Sequence, residues 1–416
     1  MSPARWIAVL VFISVASAVV VAFASRTPES VREAKPGDEA LDPALGDNFT
    51  DEQVARHGAF RAPGYLAFAL VTIVEIVTLI ALAKGLFGEL YDVIRKVPGG
   101  WWVHALIAGA AIALVMTLVT LPMGYVRGYA NAHAWGLSTQ DIEGWLSDRA
   151  KGTLIGMVLA GIAALAFFAI VRWQPRFWWL FGWAAFTLLT LAITFLYPVA
   201  IAPLFNKFTP LEDEQLASQI RSLANGAGIE VDEVLVADAS RRTTTENAYV
   251  AGLGATKEVV IYDTLLASGG PADVRFVVAH ELGHRKENHV QKNVIVASVG
   301  LFAGFAVLAW LIGQGRLLGW AGASSITDLR ALPVLLLFAA LAGLLTLPIE
   351  SSISRSFETR ADEIAIDLSD DRQAAVRAFR RLAFSNIADL RPPGAAVWTL
   401  FSHPPIPDRI RMVLRT

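Results

Sequence analysis

Long apolar runs dominate this chain, and their lengths set the first constraint on its fold. Seven stretches, at 6–24, 65–86, 101–126, 153–171, 177–197, 294–313 and 332–349, are long enough to span about 30 Å of hydrocarbon. Between the first two lies a polar segment, 25–64, rich in Pro, Asp and Glu, which reads as a partly disordered loop. Residues 200–293 have moderate polarity and alternate short strands with a helix. Together with 350–416 they predict a water-facing domain interrupted by the last two spans. The expected organisation is a membrane region at 1–199 with five spans, a first domain part at 200–293, a two-span hairpin at 294–349 and a second part at 350–416.

Finer patterns place elements inside the soluble part. Residues 234–237 form a short apolar run suited to a buried strand. Residues 247–250 and 259–262 read as two strands joined by a turn containing Gly252 and Gly254. Gly269 and Gly270 then break the chain, and Pro271 suits a first helical position. Val274, Val277 and Val278 form the buried stripe of the helix that follows.

Composition agrees with the pattern. The chain has 416 residues, 55% hydrophobic and only 17% charged, where a soluble domain carries about 25% charged residues. Net charge is −2, which leaves no nucleic-acid footprint. There is no cysteine, so a metal site must draw on His and carboxylate ligands. Basic residues do not orient the spans. Arg26, Arg32, Lys35, Arg56, Arg61, Arg127, Arg149 and Lys151 on the domain side nearly balance Arg5, Arg95, Lys96, Arg172, Arg176, Arg316 and Arg330 opposite. Arg5 and the Ala22-Phe23-Ala24 end of the first run resemble a signal peptide, but the run is longer than a usual signal core.

The helix after Pro271 carries His280-Glu281-Leu282-Gly283-His284. Positions i and i+4 share a helix face, so both imidazoles can bind one ion. Glu281 lies about 100° round the helix, placed to reach an attacking water without being a ligand. This spacing predicts a catalytic metal site.

Two histidines need a third protein ligand, and without Cys that ligand is Asp or Glu. Val294 lies ten residues beyond His284, about 15 Å if the helix continues into the membrane. On the return, Glu358 lies nine residues beyond Ile349, about 13 Å by the same rise. Antiparallel helices would therefore bring His284 and Glu358 to nearly one height. Asp362, at i+4 from Glu358, could accept the second N–H of a ligand imidazole. The alternative for this segment is a solvated charged face, given Arg355, Arg360 and Glu363 nearby. Near the C-terminus, Pro404 biases His403 towards an extended loop conformation. His403 and Arg409 are candidates to stabilise an oxyanion, with a surface loop as the default reading.

In order along the chain, these motifs resemble the type 1 CaaX prenyl proteases, integral-membrane zinc metallopeptidases with seven spans. The likeness runs from about residue 65 and is dense from Tyr197 onward. It includes Ala202-Pro203-Leu204-Phe205-Asn206-Lys207, Ser240-Arg241-Arg242, Asn247-Ala248-Tyr249 and Ile261-Tyr262-Asp263-Thr264-Leu265-Leu266. The H-E-x-x-H run, Ser354 to Asp362, and His403-Pro404-Pro405 with Arg409 complete it. The first 64 residues, the acidic loop and Arg360 depart from the family pattern, which leaves substrate preference open.

The resemblance implies a mainly α polytopic membrane protein, with seven transmembrane helices enclosing a chamber and a zincin-like α+β metalloprotease domain. It implies one Zn²⁺ per chain on His280, His284 and Glu358, with Asp362 behind them. Glu281 would be the base, His403 and Arg409 the oxyanion partners, and Asn247, Ala248 and Tyr249 the strand that pairs with substrate. It also implies an uncleaved first span. The expected partners are a peptide or protein substrate, membrane-associated or prenylated, and the lipid bilayer, with no nucleic acid. The resemblance implies a catalytic domain facing the cytoplasm, and a composition rich in Ala and Trp suits a bacterial chain, hence an inner membrane and a role in membrane-protein quality control. The rival readings are a transporter or channel-like protein with a structural zinc site and a zinc hydrolase acting on a lipid ester. Against the first, the spans carry almost no ionisable residue besides Glu75.

Overall fold

The computed structural model describes residues 2–32, 48–253 and 256–415. Among these residues, seven helices are long and apolar enough to cross a membrane, which makes this an integral membrane protein. The first five are α1 (Pro3–Ala24), α2 (Asp51–Ala81), α3 (Trp101–Tyr125), α4 (Ile142–Trp173) and α5 (Trp178–Leu196). Helix α2 continues through a π-bulge at Leu82–Leu86 to Ile94, and the bulge holds Gly85 at φ 139°. Helices α3 and α4 meet backbone to backbone. A Cβ added at Gly109 would lie 2.4 Å from the Ala160 carbonyl oxygen, and one at Gly161 would lie 2.9 Å from that of Leu106. Small residues at such crossings permit the close approach that association within lipid relies on.

The polar segment 25–64 corrects one expectation. Residues 33–47 lie outside the described residues, but from Asp51 onward the chain is helical and simply prolongs α2 beyond its apolar stretch. The local cause is a capping box. The Thr50 hydroxyl accepts from the Gln53 backbone N–H at 3.2 Å, and the Gln53 side chain accepts from the Thr50 N–H at 2.9 Å. Asp51 and Glu52 then oppose the helix dipole. The extension docks on residues 386–389 of the soluble part. His57 Nδ1 lies 2.6 Å from the Ala388 carbonyl oxygen, Arg61 donates to the Ile387 and Asn386 carbonyls at 2.6 Å each, and the Tyr65 hydroxyl donates to Asp389 at 2.6 Å.

After α5 come β1 (Phe208–Pro210), α6 (Glu214–Gly226), β2 (Glu233–Ala237), β3 (Ala248–Leu253), β4 (Thr256–Tyr262) and α7 (Pro271–Lys286). The sheet order is β1-β2-β4-β3, with β2 and β4 parallel and the outer pairs antiparallel. Gly254, expected in the β3–β4 turn, lies outside the described residues. Ile220 of α6, Val259 and Ile261 of β4, and Phe276 of α7 close one hydrophobic core with Phe379.

The last spans are α8 (His289–Gly313) and α9 (Leu332–Ser369), followed by α10 (Arg372–Ser385) and α11 (Ile406–Arg415). The metal-motif helix does not run straight into the membrane, as the height argument assumed. Asn288 adopts φ 53°, a left-handed conformation that ends α7 and restarts the chain as α8. On the returning side, α9 runs unbroken for 38 residues and carries Glu358 and Asp362 out of the membrane region.

Candidate active site

Helix α7 is buried along the Val274, Val277 and Val278 face, and its next turn presents His280 and His284 to α9. The two Nε2 atoms lie 3.1 Å apart. Glu358 closes the triangle, with Oε2 3.2 Å from His280 Nε2 and Oε1 3.3 Å from His284 Nε2. Among the described residues these three form a group whose ligand atoms all lie within 4.8 Å of one another. Glu358 Oε2 is buried and makes no hydrogen bond. Two imidazole nitrogens and a carboxylate facing one another at 3.1–3.3 Å fit a divalent cation.

Gly283 makes this convergence possible. A Cβ there would sit 2.9 Å from the Ala361 carbonyl oxygen and 3.0 Å from its Cα. The glycine lets α7 and α9 touch within one turn of all three candidate ligands.

Behind His280 stands a buried ionic pair. Asp362 is fully buried, and its Oδ1 lies 2.7 Å from His280 Nδ1. Arg409, itself buried, grips the same carboxylate twice, at 2.7 and 2.5 Å, and its guanidinium lies over the Phe379 ring at 4.3 Å. Burial works against a charged His280 ring, yet the adjacent Asp362 and Glu358 outweigh it and its pKa is pushed up to about 10. The ring holds its Nδ1–H against Asp362, so a cation that displaced the second proton would find the Nε2 lone pair facing Glu358 and His284. Arg409, expected beside the substrate, instead touches His280 on its Nδ1 edge at 3.5 Å, away from the triangle.

His284 has a different support. Its Nδ1 lies 2.9 Å from His289 Nδ1, and the His289 ring is buried and stacked on Phe357 at 4.3 Å. Sequence reading passed over His289. The signal was present as a third histidine five residues beyond His284, but only the left-handed turn at Asn288 brings it back to the site.

Glu281 is half-buried, and burial raises the pKa of its carboxyl, with the His280 and His284 rings pulling the other way. His403 stands on a loop at the opposite rim, with Nε2 3.2 Å from Glu358 Oε2 and about half of its side chain open to solvent. That loop is tied to α9. Arg355 donates to the Val397 and Phe401 carbonyls at 2.6 and 2.9 Å, and Ser351 donates to that of Thr399 at 2.9 Å. Ala248 and Tyr249 lie on β3, an edge strand of the sheet, and exposed Asn247 precedes them. Arg360, the departure from the family pattern, faces outward and pairs with Glu287 and Glu363 at 3.0 and 2.9 Å.

Comparison with known proteins agrees with this geometry. A family model described as Peptidase family M48 matches residues 210–416. Another, described as the CAAX prenyl protease N-terminal region with five membrane helices, matches residues 41–207. The likeness therefore begins upstream of residue 65. The uncharacterized metalloprotease YhfN of Bacillus subtilis is 33% identical over 306 residues, covering 72% of this chain and 71% of that one. CAAX prenyl protease 1 of Saccharomyces cerevisiae is 30% identical over 317 residues, covering 72% and 69%. The crystal structure of S. mikatae Ste24p superposes with a TM-score of 0.77 over 98% of this chain and 99% of that one. Its 24% sequence identity makes that match a statement about the fold alone. With a buried His-His-Glu group on the H-E-x-x-H helix, seven membrane helices and relatives of this kind, the chain belongs to peptidase family M48 and is an integral-membrane metalloendopeptidase.

Proposed function

We propose that the protein is a zinc endopeptidase of a bacterial inner membrane that cuts membrane-associated or prenylated protein substrates, its catalytic domain facing the cytoplasm. His280 Nε2, His284 Nε2 and Glu358 hold one Zn²⁺ per chain. The observation that carries the reading is the triangle of these three groups with Glu281 beside it. When bound, the ion polarises a peptide carbonyl and makes water acidic enough to lose a proton near neutrality. Glu281 takes that proton from the attacking water on its carboxylate, and its burial-raised pKa suits it to hand the proton on to the leaving amine.

Asp362 and Arg409 act through His280: the carboxylate fixes the ring's tautomer, and the guanidinium fixes the carboxylate. Arg409 is thus a positioning residue, since its donors face Asp362 rather than open space. His403 is the group placed to donate to the oxyanion, its ring half exposed at the rim beside Glu358. The edge strand β3, entered from Asn247 and including Ala248 and Tyr249, is where the substrate pairs, although the Tyr249 backbone is itself turned to Val260 of β4. Quality control of membrane proteins is the role that suits a bacterial enzyme of this kind.

The test is Glu281→Gln in purified protein. Bound zinc should stay near one per chain while peptide cleavage falls by about 10²- to 10⁴-fold. Full cleavage by that variant ends the mechanism. Membrane proteomics with the same variant, scored for retained uncleaved proteins, identifies the substrates.

A further inference from the structure

The membrane rim away from the catalytic domain holds a cavity that the proteolytic chemistry does not use. Helix α2 docks on the soluble part at one end and reaches the π-bulge at Leu82–Leu86 at the other. Helix α9 carries Glu358 near one end and begins at Leu332 at the other. Both far ends therefore lie across the apolar stretches from the candidate metal site. Between them, closed by the helical turn Arg316–Trp320 of the α8–α9 connection, is a cavity of about 400 Å³. That size falls in the range of about 300–1,000 Å³ usual for small-molecule sites.

The charge of this cavity is one-sided. Lys84 and Arg330 line it, and among the described residues no carboxylate does. The Lys84 ammonium donates to the Trp320 carbonyl at 3.1 Å and lies 4.2 Å from the centre of the Trp320 ring. That bond uses one of its three N–H donors. The Arg330 guanidinium lies over the Tyr91 ring at 5.8 Å and forms no ion pair among the described residues. Neighbouring acids are engaged elsewhere: Asp328 accepts from Ser324 and from the Arg330 backbone N–H, and Asp92 pairs with Arg95. Two uncompensated cations facing one space are stabilised by an anion between them. The wall beneath them is apolar, with Phe87 and Ala321 buried. Gly88 leaves one side of it bare, although glycine weakens a helix relative to alanine and a Cβ there would meet nothing within 4 Å.

We propose that this cavity binds the headgroup of an anionic phospholipid, with Lys84 and Arg330 on its phosphodiester. A free phosphate ester carries the same anion. Position decides for the lipid: the cavity lies where two apolar stretches end, at the depth of headgroups, with Trp320 at the same level. A lipid held there clamps the α2 bulge to the foot of α9, the helix that presents Glu358 at its far end.

Native mass spectrometry of detergent-purified protein tests this, with phosphatidylglycerol titrated against phosphatidylcholine of the same acyl chains. Phosphatidylglycerol should bind about 25-fold more tightly, about 5-fold for each cation. Lys84→Gln/Arg330→Gln should bring the two lipids within about 2-fold of each other. Arg95→Gln/Lys96→Gln removes the same charge from the same rim outside the cavity and should keep the wild-type preference. Gly88→Leu should lose the preference by filling the cavity with both cations in place. Phosphatidylglycerol should raise the unfolding temperature of the wild type and not that of Lys84→Gln/Arg330→Gln. Glycerol 3-phosphate in millimolar excess should leave the lipid bound.

Equal binding of the two lipids by the wild type overturns the proposal, and so does an equal loss of preference in both double variants. Displacement by glycerol 3-phosphate would make the ligand a free phosphate ester instead. A preference that survives Lys84→Gln/Arg330→Gln while thermal stability falls would leave Lys84 as no more than an anchor for the Trp320 carbonyl. If the double variant does not fold, Lys84→Gln and Arg330→Gln singly take its place, each expected to cost about 5-fold.

Discussion

Gly283→Ala offers the sharpest test of how the candidate metal site is built. The added methyl carbon would lie 2.9 Å from the Ala361 carbonyl oxygen and 3.0 Å from its Cα, where ordinary contact begins at 3.4 Å. Both atoms belong to the backbone of α9, which cannot rotate out of the way as a side chain would. The helices must therefore part by about 0.5 Å, at an overpacking cost of about 1–3 kcal/mol. Alanine recovers about 1 kcal/mol through its helix propensity, so the net loss of stability is small. The metal site has no such compensation. Glu358 lies on α9 one turn before Ala361, and its 3.2 and 3.3 Å distances to the two imidazoles grow with the separation. Zinc affinity should fall by about 10- to 100-fold, the scale on which disturbed ligand orientation is felt. Chelator competition on detergent-purified protein measures this, alongside thermal unfolding. Gly343→Ala on the same helix, where a Cβ meets nothing within 4 Å, is the control. Wild-type zinc affinity in Gly283→Ala would refute the claim that helix contact at this glycine sets the ligand geometry.

Three further perturbations follow from named contacts. His289→Phe removes the partner of His284 Nδ1 while keeping a ring over Phe357. It should weaken zinc by about 10- to 100-fold with little change in thermal stability, and His289→Asn, which keeps an acceptor, should recover part of the loss. Arg409→Leu strands the buried Asp362 carboxylate and should cost about 3–5 kcal/mol in unfolding free energy as well as zinc affinity. If that variant lost activity with stability and zinc binding intact, Arg409 would belong beside the substrate after all. Arg61→Ala deletes two charge-assisted bonds to the 386–387 backbone and should lower stability by about 1.5–3 kcal/mol. Hydrogen exchange should then rise selectively in residues 386–391.

The parts legible in the sequence were those that local chemistry decides. Runs of about 20 apolar residues must become helices in lipid, because no other segment satisfies its own backbone there, and all seven were readable. The H-E-x-x-H spacing likewise makes its own site, since a helix places i and i+4 together whatever surrounds it. Gly269-Gly270-Pro271 marked the start of that helix for a similarly local reason. The residues around 51–64 were misread because polar composition resembles disorder. Their helix depends on a capping box and on carbonyls more than 300 positions away in sequence.

What the chain alone determined, then, is the membrane-spanning plan and a pair of histidines on one helix face. Only the folded protein decided what faces that pair. Glu358 reaches it because α9 is unbroken and Gly283 admits it, and His289 reaches it because Asn288 turns the chain back. Arg409 sits behind His280 rather than before it, and Arg285 donates to the Gly252 carbonyl, a contact that its position in the sequence does not suggest. The reason is physical: periodicity specifies which residues share a face of one element, while the approach and rotation of separate elements are set by packing that no local pattern encodes.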